Sequence, residues 1–241
     1  MNNRLDEHVA AYEGRSPFDF DNEILLTWYP KRIRALTLNA TSLLELGLGH
    51  GFSTSYFSTQ YARHVVLEGS AAVIANFKKN HPACRAALIE TYFENFDRDE
   101  RFDVIVMGFI LEHVDDPLAI LRRFRRFLAP GGKMFIAVPN AEVLNRRLGH
   151  IAGLLADIKS LSDHDKLLGH RRYYTVESLT ADVVAAGYRV KSMEGIYLKP
   201  FTSQQIQSLN FDRRILDALC EVGIAYPELC CGILSQIEVA A

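Results

Sequence analysis

The 241-residue chain is 49% hydrophobic and 23% charged, with a formal net charge of -2 at neutral pH. This is the balance of a globular domain with a sizeable core. It gives no global basic field of the kind that steers a protein onto nucleic acid, and the longest apolar runs, such as VIVMGFIL, are too short to span a bilayer. Cys84, Cys220, Cys230 and Cys231 form no CxxC pair, and MNNRLDEHVAAYEG holds no apolar signal core. Reduced thiols and a cytoplasmic protein without membrane attachment are the expectation.

In chain order, residues 1–40 read as a helical segment ahead of the first strand, with Tyr12 and Arg15 as candidate lid residues. Strand-length apolar runs then recur at residues 42–46, 64–69, 86–90, 102–108 and 133–140. Between them lie amphipathic stretches at residues 53–61, 70–80 and 117–128. The run RRFRR, Arg122 to Arg126, is the solvated side of the last of these; its apolar side is Leu121, Phe124, Phe127 and Leu128. APGGK reads as a helix stop followed by a turn.

Residues 141–174 break the alternation and read as one or two helices with a polar loop, an insertion able to cover a substrate. Thr175 caps a helix that stops at Gly187, and late strands at residues 189–198 and 230–240 flank a helix at residues 211–222. Alternating strands and helices predict an α/β doubly wound sheet, mostly parallel and seven-stranded, with helices on both faces. No repeat or linker divides the chain, so residues 1–241 form one domain. Its parts are a lid segment (1–40), a core (41–140), an insertion (141–174) and a C-terminal part (175–241).

The stretch LLELGLGHG, residues 43–51, puts three glycines at alternate positions directly after a strand, with Glu45 inside it. In an open parallel sheet that is where a nucleotide-like ligand binds. A dinucleotide site of the G-x-G-x-x-G type needs a third glycine where Phe52 stands, which disfavours a nicotinamide oxidoreductase.

This stretch resembles motif I of the class I S-adenosylmethionine-dependent methyltransferases, and the resemblance runs over residues 40–140. VVLEG, FILEHVDDP and LAPGGKMFIAVPN resemble the family's later motifs in the same order. GHRRYYTVESL is similar to segments of its small-molecule methyltransferases. The resemblance implies a Rossmann-like fold with S-adenosyl-L-methionine as cofactor. It also implies that Gly47, Gly49, Gly51 and the backbone around Gly108 meet the cofactor's amino acid end. Glu45 would hold the loop or, through water, the ammonium. Glu68 would accept from the ribose hydroxyls, and Tyr92 and Phe93 would lie against the adenine, although Tyr92 stands where the family often has an acid.

For the acceptor, the expectation is a small molecule methylated on a hydroxyl, such as a secondary metabolite, sugar or lipid-like compound. An alkyl hydroxyl needs a general base, and His113 and His170 are the candidates. His164, between Asp163 and Asp165, reads as part of a polar loop rather than a metal site, so no metal is expected. Asn140, Arg146, Arg171, Arg172, Tyr173, Tyr174 and Tyr197 are candidate substrate contacts, and Arg147 also flanks the pocket. An N-methyltransferase acting on a small amine is the near alternative. A non-catalytic cofactor-binding module is the remaining alternative. Residue types alone leave the acceptor and the oligomeric state open.

Overall fold

The computed structural model describes residues 19–240, the side chain of His164 excepted; Tyr12 and Arg15 lie outside the described residues. Among these, seven strands form one sheet in the order β3-β2-β1-β4-β5-β7-β6. Strands β1 (Ser42–Leu46), β2 (Arg63–Glu68), β3 (Ala87–Glu90), β4 (Phe102–Gly108) and β5 (Leu128–Pro139) run parallel. Strand β7 (Cys230–Val239) is antiparallel to both β5 and β6 (Tyr188–Leu198). The chain winds outward from β1 through β2 to β3, then returns to place β4 on the other side of β1. That reversal makes the carboxyl ends of β1 and β4 the switch point where an open sheet leaves a crevice.

The central strands bury both faces, and residue alternation sends neighbouring side chains to opposite cores. On one face Leu43, Val104, Val106, Phe135 and Ala137 pack with α1 (Asp19–Leu36), α2 (Phe52–Gln60) and α9 (Arg213–Gly223). On the other, Leu44, Leu46, Ile105, Met107, Met134, Ile136 and Val138 pack with α4 (Pro117–Phe124) and α7 (Val176–Ala185); the insertion between them carries α5 (Leu144–Ile151) and α6 (Asp163–Leu167). A smaller cluster of Leu48, Val66, Val73, Ile74 and Phe77 seats α3 (Ala71–Asn80).

Side-chain caps set several helix starts. Ser70 accepts from the Val73 amide, and Asp116 accepts from the Ala119 amide with Pro117 opening α4. Thr175 and Ser178 form a reciprocal capping box for α7. The apolar side of the arginine-rich stretch is buried as its pattern implies, with Leu121, Phe124 and Phe127 at 0% exposure.

Three features differ from the sequence expectation. Helix α4 stops at Phe124, and a 3-10 turn takes Arg125–Phe127. Strand β5 begins at Leu128 rather than Lys133: Phe102 pairs with Leu128 and Val104 with Lys133, so Ala-Pro-Gly-Gly bulges from the ladder instead of forming a separate turn. A short helix α8 (Ser203–Ser208), opened by a Thr202–Gln205 capping box, was not expected from TSQQIQS. Six residues hold too little of a 3.6-residue period for an apolar stripe to show.

Helix α1 is fixed over the sheet by buried polar contacts as well as by Ile24, Leu25, Tyr29 and Ile33. Lys199 Nζ donates to Asp21 Oδ2 at 2.5 Å and lies 2.9 Å from Ser203 Oγ, which itself donates to Asp21. Arg32 grips Glu194 of β6 through Nε and Nη2 at 2.9 and 3.0 Å. Removing one partner of a buried ion pair leaves the other charge uncompensated. Lys199→Met should therefore lower unfolding stability by about 3–5 kcal/mol in denaturant titrations. Adding Asp21→Asn to that variant should recover most of the loss, by removing the stranded charge.

Candidate functional site

The glycine loop is held by a buried carboxylate. Glu45, 1% exposed on β1, accepts from Ser53 Oγ at 2.5 Å and Thr54 Oγ1 at 2.8 Å, both in the first turn of α2. His64 Nε2 on β2 lies 3.0 Å from its second oxygen. Glu45 thus ties the start of α2 and strand β2 to β1. Gly47, Gly49 and Gly51 all have positive φ, at 79°, 48° and 77°. A Cβ on Gly47 would meet Ile110 and one on Gly51 would meet Phe77, so those two glycines let the loop close on its own neighbours. Gly49 alone of the three would point a Cβ into open space, which leaves its backbone approachable from outside.

Glu68 ends β2 beside this loop. Its Oε2 accepts from the Leu48 amide at 3.0 Å and its Oε1 from the Ser70 amide at 2.8 Å. A carboxylate oxygen can accept more than one hydrogen bond, and Glu68 stands at the carboxyl end of β2 beside the loop. Tyr92 is 43% exposed just past β3, while Phe93 packs on the core and opens a 3-10 turn whose carbonyl accepts from Arg123. Gly108 ends β4 under the Tyr29 ring: a Cβ there would lie 2.4 Å from the Tyr29 hydroxyl oxygen. Burial and the nearby Glu45 charge push the Tyr29 phenol well above its ordinary range, so it stays protonated. Phe109 follows with φ 58°, a left-handed backbone unusual for a bulky side chain, and its amide donates to Ala137 at 2.7 Å.

The segment after β4 carries the titratable cluster. Glu112, His113 and His170 offer ligand atoms that all lie within 4.8 Å of one another, and the two imidazole rings meet edge to face at 4.7 Å. Glu112 is fully buried; burial raises its carboxyl to about 7 against the opposing charges of His170 and Arg172. Behind His170, Asp165 Oδ1 sits 3.2 Å from Nδ1. Burial works against the Asp165 charge, but the His170 contact and hydrogen bonds from Ser162 and Tyr173 outweigh it and hold the carboxyl below the usual range.

The insertion reaches this point because its arginines dock on backbone. Arg171 Nε donates to the His113 carbonyl, and Arg172 Nη1 to the carbonyls of Leu111 and Val114 at 2.7 and 2.6 Å. These contacts revise the substrate-binding expectation for both arginines, which fasten the insertion to the loop after β4. The same holds elsewhere. Arg146 donates to the carbonyls of Ile158 and Ser160 and stacks over Tyr173. Arg147 pairs with Glu142. Asn140 donates to the carbonyls of Pro227, Glu228 and Cys230 and clasps the approach to β7. Tyr174 is buried against Asp182, and Tyr197 is buried in the α1-side core. Tyr173 reaches Asp165 and belongs to the cluster.

Comparison with known proteins places the chain in a family. Residues 22–193 match the family described as "Methyltransferase domain". The chain belongs to the class I S-adenosylmethionine-dependent methyltransferase family. It is 32% identical over 119 residues to a ubiquinone biosynthesis O-methyltransferase of Parvibaculum lavamentivorans, covering 47% of this chain and 44% of that one. A second protein of that name, from Coxiella burnetii, is 24% identical over 78% of this chain and 79% of its own. In fold it is similar to the Burkholderia thailandensis 1,6-didemethyltoxoflavin-N1-methyltransferase, solved with its substrate and S-adenosylhomocysteine. That likeness has TM-score 0.63 at 15% identity, over 98% of this chain and 87% of that one. The match to the Parvibaculum relative spans less than half of that protein's length. No described helix is long and apolar enough to cross a membrane.

Sequence reasoning passed over Glu112 and Asp165 as site residues. A carboxylate directly after the apolar run VIVMGFIL was the available signal for Glu112. No local pattern in SDHDK shows that Asp165 meets His170. S-adenosylmethionine is the family's cofactor, and the open backbone at Gly49 and the strand-end carboxylate of Glu68 are the groups expected to receive it. Glu68→Ala should weaken its binding by about 1–3 kcal/mol, the scale of hydrogen bonds to a charged group, as read by calorimetry. The same titration on Glu68→Gln separates lost charge from lost shape, with an intermediate affinity expected.

Proposed function

We propose that this methyltransferase moves the methyl group of S-adenosylmethionine to a hydroxyl of a small-molecule acceptor. The observation that carries the reading is the Glu112–His113–His170 cluster, which follows β4 at the switch point, one residue past Leu111 and two past Ile110, whose side chain packs on Gly47. A hydroxyl is a poor nucleophile while it keeps its proton, so a group that takes or displaces that proton suits it. An amine only has to arrive uncharged. The relatives bearing an O-methyltransferase name support the same choice.

S-adenosylmethionine supplies a methyl already activated by its sulfonium. The chain's own part is to hold the acceptor in line and exclude water. The acceptor oxygen gains the methyl, its proton is given up at the cluster to one of its side chains or to water, and the thioether product leaves with the electron pair of the broken carbon–sulfur bond. Asp165, held by Tyr173, stands at ion-pair distance behind His170, and Arg171 and Arg172 hold the covering segment against the loop that bears Glu112 and His113.

Three measurements check this reading. S-adenosylhomocysteine at a hundred times its dissociation constant should stabilise the protein by about 2.7 kcal/mol through mass action, while NAD leaves its melting temperature unchanged. In a screen with labelled cofactor, phenolic and alkyl hydroxyl acceptors should accept methyl groups in preference to amines. His113→Ala and His170→Ala should each cost about 10²–10⁴ in turnover with cofactor affinity nearly intact. Acceptance confined to amines, with near-normal turnover in both variants, would replace the reading with N-methylation.

A further inference from the structure

We infer that Glu112, His113 and His170 form a divalent-cation site, a one-carboxylate, two-imidazole set that takes a first-row metal such as zinc and leaves one position open to the acceptor oxygen. The inference deepens the proposed O-methylation and rests on that reading for its use, although not for its existence.

Three observations on the described residues support it. The ligand atoms converge within 4.8 Å although His170 is 57 positions along the chain from His113. With bonds of about 2.0–2.1 Å, a tetrahedral zinc holds its ligands roughly 3.4 Å apart, so a small side-chain rotation closes the set. Second, Glu112 is 0% exposed and neither carboxylate oxygen has a hydrogen-bond partner. An isolated carboxylate in a low-dielectric interior is costly, and a cation bound among the imidazoles supplies the missing partner. Arg172 does not: its Nη1 is directed at the carbonyls of Leu111 and Val114.

The third observation is the support behind His170. A metal-bound imidazole usually turns its other ring nitrogen to a carboxylate. Asp165 Oδ1 stands 3.2 Å from His170 Nδ1, at ion-pair distance but off the line of a ring N–H bond, which a small ring rotation would correct. Asp165 is itself fixed by Ser162 and Tyr173. His170 is thereby oriented with Nε2 as its ligating atom. Oxygen and nitrogen donors without thiolate, with one position open, are the pattern of catalytic rather than structural zinc.

The cation changes how the acceptor is prepared. The hydroxyl oxygen binds at the open position and its proton is released to water, because the metal lowers its pKa as it does that of bound water. The metal-bound oxygen then takes the methyl, and the carbon–sulfur bond breaks with its electron pair on sulfur. One proton is released for each methyl transferred.

The test uses the whole chain stripped with chelator, then titrated with zinc against a chromophoric chelator and separately with cobalt(II). One equivalent of zinc should bind. The cobalt form should show visible d–d absorption without a thiolate charge-transfer band, which sets this site apart from adventitious binding at the four cysteines. Glu112→Gln and His170→Ala should lose more than the roughly 10–100-fold in zinc affinity that removal of a supporting group costs, and Asp165→Asn should fall within that range. Circular dichroism and S-adenosylhomocysteine binding report whether each variant is folded, and the wild-type cobalt spectrum decides the matter if they are not. Failure to bind zinc, a thiolate band, or affinity unchanged in folded variants overturns the site. If zinc binds as described but no hydroxyl acceptor is methylated, the site stands and the proposed function falls. If the variants lose turnover on a hydroxyl acceptor while no metal binds, the function stands and the site falls.

Discussion

The Glu45 carboxylate is the contact on which the glycine loop depends. It is buried on the central strand β1 and joins three elements that the chain reaches at different times: its own strand, the first turn of α2 through Ser53 and Thr54, and β2 through His64. A charged group so placed is tolerable only because it is surrounded by donors. Removing those donors would release α2 from β1, and the loop between them would lose its path. With the loop fixed, Gly47 and Gly51 close against Ile110 and Phe77, Gly49 stays open, and the Leu48 amide meets Glu68. The loop is shaped before any ligand arrives, which reduces the ordering cost of binding.

A second constraint acts on the other side of the switch point. The segment after β4 exposes backbone carbonyls at Leu111, Glu112, His113 and Val114, and the insertion supplies donors to each of them. Arg171 and Arg172 provide side-chain donors, and the Arg171 amide bonds the Glu112 carbonyl. Guanidinium groups suit this task because their fork of N–H donors can span several carbonyls at once. The result is that His170 is delivered to His113 and Glu112 by contacts that use none of the three side chains. The polar groups that assemble the cluster are thus distinct from those able to act on a ligand.

Helix α1 ties the two halves together. Tyr29 crosses above Gly108 and lies edge to face with Phe109, while Asn22 reaches His50 in the glycine loop at 3.5 Å. The Lys199–Asp21–Ser203 contacts and the Arg32–Glu194 pair anchor the same helix to β6 and the start of α8. The Phe109 backbone is held in its left-handed conformation between this helix and the Ala137 carbonyl, directly before the cluster. Strain retained at such a place persists because the packing around it is rigid.

The sequence by itself determined most of the elements and the glycine loop. Strand-length apolar runs, glycine spacing and capping residues act over a few positions, so β1 and β4 and the starts of α3 and α7 could be read from local pattern. The acid at Glu45 and the glycines after it were legible for the same reason. What the tertiary structure alone decided lies in contacts between distant residues. Arg171, Arg172, Arg146 and Asn140 looked like ligand-binding groups because their chemistry suits anions and polar substrates. Their partners are backbone carbonyls, which every residue carries and no sequence pattern marks. In the sequence Glu112 is one more carboxylate in FILEHVDDP; burial removes its water and packing leaves it without a hydrogen-bond donor. His170 and Asp165 became a pair only when a docked insertion closed the distance to β4. Local pattern fixes which groups a segment offers; the fold decides which of them remain available, because a hydrogen bond satisfied inside the molecule is one that a ligand cannot use.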